Sequence, residues 1–102
     1  MDFKDLVCVR RSYRKFTSEE VDPEAVKTII RAALMSPTSK TRRAWHFIVV
    51  GDRLDIEKIA DAKDAGAQLL KGAPLAIVVL GNPQENDCWI EDGSIAAISM
   101  QY

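Results

Sequence analysis

The stretch Asp22-Pro23-Glu24-Ala25-Val26-Lys27-Thr28-Ile29-Ile30-Arg31-Ala32-Ala33-Leu34-Met35-Ser36-Pro37, followed by Thr38 to Arg43 and then Ala44-Trp45-His46-Phe47-Ile48-Val49-Val50-Gly51-Asp52, decides the fold class. Asp22 is placed to cap a helix, Pro23 suits its first position, and Val26, Ile29, Ile30, Ala33 and Leu34 share one face. Ser36-Pro37 stops that helix, because proline disfavours the helical conformation of the residue before it. Beyond a polar loop, Trp45 to Val50 is aromatic and β-branched and closes on Gly51-Asp52, which predicts a strand. Helix, loop and strand in that order mark a mixed α and β domain.

Outward from this block the pattern continues. Phe3, Leu6 and Val7 fall at helical spacing after Asp2, predicting a short first helix with Arg10 and Arg11 at its C-terminal end. Thr17-x-x-Glu20 fits a capping box, but Asp22-Pro23 is the better helix start. Leu54, Ile59 and the alanines from 60 to 67 predict a helix over about 54–64 and a weaker one near 66–71, interrupted at Gly66. Pro74 to Leu80 is almost continuously apolar and is expected to form a strand buried on both faces. From Asp87, Trp89, Ile90, Ile95, Ala96, Ala97, Ile98 and Met100 pattern as an apolar helix still running at Tyr102. Such a helix needs cover on more than one side, and two strands are too few for an independent sheet. A second chain, or further residues at the C-terminus, is therefore expected to complete the core. Residues 1–102 are expected to be one domain, incomplete at that end.

Composition excludes several classes. With 102 residues, 47% hydrophobic and 28% charged, the chain is neither disordered nor collagen-like. Its longest apolar run contains Pro74 and is far shorter than the roughly 18 residues of a membrane helix. The N-terminus lacks a secretory pattern, so no membrane partner and a cytoplasmic location are expected. Cys8 and Cys88 lack CxxC spacing and are expected to be reduced and mostly buried. Lone His46 has no second ligand at metal-binding spacing, so no metal site is expected.

The net charge of −1 conceals a division: residues 1–51 carry ten Lys/Arg against six Asp/Glu, and residues 52–102 carry four against nine. The basic excess sits in two short segments, Arg10-Arg11-Ser12-Tyr13-Arg14-Lys15 and Lys40-Thr41-Arg42-Arg43. Two basic loops suit a phosphate-bearing small ligand better than a long polyanion, so no nucleic-acid partner is expected. An RNA-binding role for Arg10 to Phe16, with Tyr13 and Phe16 interleaved, is opposed by the acidic second half. Arginine forks can grip phosphate, and the hydroxyl-rich loop Ser36 to Arg43 can offer hydroxyl and backbone N–H donors. Each segment alone is better explained as a solvated turn or a helix stop.

Taken together and in order, Arg10 to Phe16 after a short helix, Ala32 to Ser39 ending a capped one, Trp45 to Val50, Ala73 to Leu80, and Trp89-Ile90-Glu91-Asp92-Gly93-Ser94-Ile95-Ala96 resemble the flavin-dependent nitroreductase family. The resemblance covers the N-terminal portion of a member. It implies an α+β fold, with a central, mainly antiparallel sheet flanked by helices, in an intertwined homodimer that holds FMN at the interface. It also implies that Arg10, Arg11, Ser12 and Arg14 contact the flavin's phosphate, ribityl chain and pyrimidine edge. Pro37, Thr38, Ser39 and Thr41 then reach the ring from the other subunit. Thr41 and Arg43 stand where many members have Asn and Gln, and Ala44 replaces a common Pro before Trp45. The implied activity is ping-pong hydride transfer from NAD(P)H to a nitroaromatic, quinone or similar flat acceptor, with no catalytic side chain needed. The alternative is a truncated, catalytically silent remnant that dimerises or binds flavin weakly.

Overall fold

A cap made by the chain's own carboxylates starts each of the first three long helices in the computed structural model, which describes residues 1–63 and 68–102. Asp2 accepts from the Asp5 amide at 3.2 Å at the head of α1 (Phe3–Val9). Asp22 accepts from Glu24 N at 2.9 Å at the head of α2 (Pro23–Leu34), with Pro23 at the first helical position. Asp52 accepts from Leu54 N at 2.8 Å at the head of α3 (Arg53–Ala62). Each cap satisfies one of the N–H groups that the first helical turn leaves without an intrahelical partner. The short α4 (Gln68–Lys71) and the long α5 (Trp89–Gln101) complete the α-helices among the described residues, with one 3-10 turn at Ser39–Thr41. No helix among the described residues is long and apolar enough to cross a membrane.

Two strands, β1 (Trp45–Val50) and β2 (Ala76–Gly81), pair antiparallel in a register that sets Trp45 opposite Gly81 and Val50 opposite Ala76. The pairing continues one residue further through Asn82 N to Ala44 O at 2.8 Å. β1 has the expected bounds, whereas β2 starts at Ala76 rather than Pro74, which has no N–H to give to a ladder. Gly81 is required sterically: a Cβ there would lie 2.5 Å from Trp89 Cε3, so only glycine lets the start of α5 close over the end of β2.

The core is small. Ala33 of α2 and Ala96 of α5, both fully buried, let these helices pack closely, and Trp45 fills the space between them with Phe47 and Met100 against it. The Trp45 indole nitrogen is buried without an acceptor. Ile56 and Ala60 of α3 are also deeply buried, on the side where α3 meets α4, and Ala44 just ahead of β1 is fully buried.

Three expectations need correcting. β2 is not buried on both faces: its residues are half-buried and Leu80 is exposed, because α5 covers the two-stranded sheet and no second layer is present among the described residues. Cys8 is exposed and Cys88 only half-buried, since α1 buries none of its residues and Cys88 sits at the mouth of α5. The last helix begins at Trp89 rather than Asp87, after a turn organised by Asn82. The expected break at Gly66 lies outside the described residues, and α4 is described from Gln68. Thr17 to Glu20 starts no helix.

Candidate functional site

The basic turn that follows α1 lines a cleft. Arg10, Arg11, Ser12 and Tyr13 stand there with Leu6, Val9, Phe16, Gln101 and Tyr102 around a volume of about 450 Å³. Its two ends of chain are tied by Arg10 Nη1 donating to Gln101 Oε1 at 3.3 Å and by the Phe3 ring edge-on to Tyr102 at 5.2 Å. Arg11 Nη1 donates to the carbonyls of Cys8 and Arg10 at 2.9 and 2.8 Å, capping the C-terminus of α1. A guanidinium has five N–H donors, so both arginines keep donors for a ligand. Arg14 lies outside this lining, its Nη1 donating to Ser12 O at 3.5 Å.

Pro37, Thr38 and Thr41 meet in a second cleft of about 430 Å³, with Leu34, Met35, Ser36 and Arg43. The two clefts share no residue. Lys40, Thr41 and Arg43 all have φ between 50° and 56°, a left-handed backbone that costs non-glycine residues about 1–2 kcal/mol each. Thr41 is β-branched, which makes its positive φ a genuine outlier. The loop's backbone N–H groups, expected to be free for a ligand, are largely engaged within the chain. Thr41 N donates to Thr38 O, Arg42 N to Ser39 O and Arg43 N to Thr38 Oγ1, at 3.2–3.3 Å. Ser39 is absent from the cleft lining, and its amide donates to Asp92 Oδ1 at 3.0 Å. What this loop offers a ligand is therefore chiefly hydroxyl groups and the Pro37 ring.

Two residues that the sequence did not single out hold this loop. Asn86 and Asp92 are the buried polar residues among those described, at 5% and 2% exposure. Asn86 Nδ2 donates to Asp92 Oδ2 at 2.8 Å and to Ser39 O at 3.1 Å, and Asn86 Oδ1 accepts from Cys88 N at 3.2 Å. Asp92 shares its helix face with Ala96 and Met100, so an acid in the core-facing stripe was the available signal. His46 is exposed on β1, its Nε2 3.9 Å from Glu85 Oε1, and lines neither cleft. No group of side chains suited to a metal ion occurs among the described residues.

With that geometry in view, comparison with known proteins is decisive. The Nitroreductase family model matches residues 8–86. The chain belongs to the nitroreductase family. A relative from Methanothermobacter thermautotrophicus, named "Putative NADH dehydrogenase/NAD(P)H nitroreductase", is 38% identical over 100 residues, covering 95% of this chain and 52% of its own length. An FMN-dependent nitroreductase from Clostridium difficile R20291 superposes with a TM-score of 0.87 at 44% identity, over 90% of this chain and 54% of that one. A "putative nitroreductase in complex with fmn" from Desulfovibrio desulfuricans superposes with a TM-score of 0.82 at 25% identity, over 96% of this chain and 59% of that one. The chain thus has the α+β nitroreductase fold and spans about half the length of these relatives.

The first cleft suits FMN in its donor chemistry. Guanidinium groups and a serine hydroxyl match a phosphate and a polyhydroxyl chain, and Tyr13, Phe16 and Tyr102 supply flat apolar walls.

Proposed function

We propose that this chain belongs to an FMN-dependent oxidoreductase of nitroreductase type, which takes electrons from NAD(P)H and passes them to a nitroaromatic, quinone or similar flat acceptor. The observation that carries the reading is the cleft where Arg10, Arg11 and Ser12 face aromatic walls, in a chain of this family. Relatives named for FMN and for NAD(P)H support the choice of cofactor and donor. When bound, FMN supplies the hydride chemistry, so the protein's task is binding and orientation.

Arg10 would hold the phosphate through charge-assisted hydrogen bonds, which are about twice as strong as neutral ones, and Arg14, outside the cleft lining, would join it by releasing its bond to Ser12 O. Arg11 keeps one edge of its guanidinium on the α1 carbonyls and turns the rest to the pyrimidine edge, where a cation favours negative charge. Ser12 donates to the ribityl chain. Pro37, Thr38 and Thr41 would cover the ring from a second copy of the chain, with Ser39 behind them anchoring the loop, and the site is built by a homodimer. Two features support this division: the clefts share no residue, and α5 leaves Ile90, Ile95 and Ile98 exposed beside its buried face. No side chain is assigned a proton-transfer step.

The test is a visible spectrum of the chain after incubation with FMN and removal of free ligand, followed by anaerobic addition of NADH or NADPH. A retained flavin band that bleaches is expected. A colourless protein overturns the reading that these residues hold FMN by themselves and favours a fragment that needs further chain for the cofactor, or a catalytically silent remnant.

A further inference from the structure

We infer that Asp92 and Asn86 form a positioning latch that fixes the loop from Thr38 to Arg43 in its strained conformation and thereby sets where the Thr38 and Thr41 hydroxyls stand. The inference rests on the flavin reading for what those hydroxyls meet, but not for the latch itself.

The chain builds the latch from the bottom up. Asn82 N continues the β ladder to Ala44 O, and Asn82 Oδ1 then accepts from Gln84 N at 2.9 Å, making a tight side-chain-capped turn. Glu85 N and Asn86 N both donate to Asn82 O, and this delivers the Asn86 side chain inward to the first turn of α5. Asp92 sits in that first turn, where the helix N-terminus favours negative charge. A carboxylate at 2% exposure is costly unless its oxygens are filled, and here one takes the Ser39 amide and the other the Asn86 amide. Asn86 spends its second hydrogen on Ser39 O. Both backbone polar groups of Ser39 are thus clamped to partners 47 and 53 residues away in sequence.

This clamp immediately precedes Lys40, Thr41 and Arg43, the three positive-φ residues. Strain at three non-glycine residues persists only where surrounding structure over-determines it. Bonds within the loop run from Thr38 to Arg43 but never leave it, so they cannot anchor it to the core. The bonds from Ser39 to Asp92 and Asn86 do, through a helix whose next buried residue, Ala96, packs in the core. Asp92 lines neither cleft and touches no ligand-facing hydroxyl. It acts through the loop.

The pair's donor and acceptor roles give the test. Asp92→Asn sets an amide against the Asn86 amide, and Asn86→Asp sets two carboxylates against each other. The double exchange restores one donor–acceptor contact and keeps an acceptor for Ser39 N. Limited trypsin digestion of the full chain without FMN reads the loop at Lys40, Arg42 and Arg43, with Arg10, Arg14, Arg53 and Lys58 as internal references. Each single variant is expected to speed loop cleavage about tenfold relative to the references, the size of one lost hydrogen bond to a charged group, and the double exchange to recover part of it. Unchanged loop cleavage, or equal acceleration at every site, overturns the latch. FMN affinity forms the second arm: about tenfold weaker binding in each single variant with recovery in the exchange supports the positioning role, and unchanged affinity with a loosened loop overturns it. Wild-type chain that binds no FMN overturns the flavin reading alone, since the cleavage arm still decides the latch.

Discussion

The two segments that carry the proposed ligand contacts are built in opposite ways. Thr38 to Arg43 holds three strained residues and is clamped to the core by buried Asp92 and Asn86. Arg10 to Phe16 has no regular structure, is exposed beyond Arg10, and is tied down by side-chain bonds at the surface such as Arg10 to Gln101. Ordering entropy was met for the first segment when the chain folded, whereas the second retains freedom that a ligand must remove. The loop should therefore respond to changes at residues remote from any ligand. The basic turn should respond only where a residue meets the ligand.

The strongest challenge to this contrast is Asp92→Ala. It leaves one hydrogen of the buried Asn86 amide and the half-buried Ser39 N–H without an acceptor, so urea unfolding should show a loss of about 2–5 kcal/mol. A loss within the error of the measurement would mean the carboxylate anchors nothing. Arg14→Ala probes the other segment: FMN titration should show a loss of about 1.5–3 kcal/mol in affinity, with unfolding free energy unchanged to within about 0.5 kcal/mol. Equal affinity would remove Arg14 from the site. Gly81→Ala drives a Cβ into Trp89 and should cost about 1–3 kcal/mol of stability by overpacking the corner from which Asn86 and Asp92 extend. The smallest effect belongs to Asp2→Ala, which removes the α1 cap in front of the basic turn and should cost about 1 kcal/mol or less. A cost as large as that of Gly81→Ala would show that the basic turn is anchored more firmly than its exposure implies.

Much of this contrast is written in local sequence, and part of it is not. Asp22-Pro23 and Trp45 to Val50 are legible because cap, breaker and β-branched run act over a few residues, and α2 and β1 formed with the expected limits. The family, too, was legible, from the order of five short motifs. The burial of β2 was misjudged because an apolar run reports what a strand could bury, not how many layers cover it. Cys8 was misjudged for the same reason, on a helix that packs against little. The latch left no local signature: its partners lie up to 53 residues apart, and only the closing of β2 onto β1 and of α5 onto the strand end brings them together. Positive φ at Lys40, Thr41 and Arg43 was equally hidden, since none is a glycine or asparagine that would have announced it.

Amide hydrogen exchange of the full chain without ligand tests the contrast most directly, read residue by residue at Ser39 and across Arg11 to Phe16. Ser39 N–H, held on a buried carboxylate, should exchange slowly, near the rate of amides in α2, and Arg11 to Phe16 should exchange close to unprotected rates. Equal protection in the two segments would contradict a clamped loop facing a free basic turn.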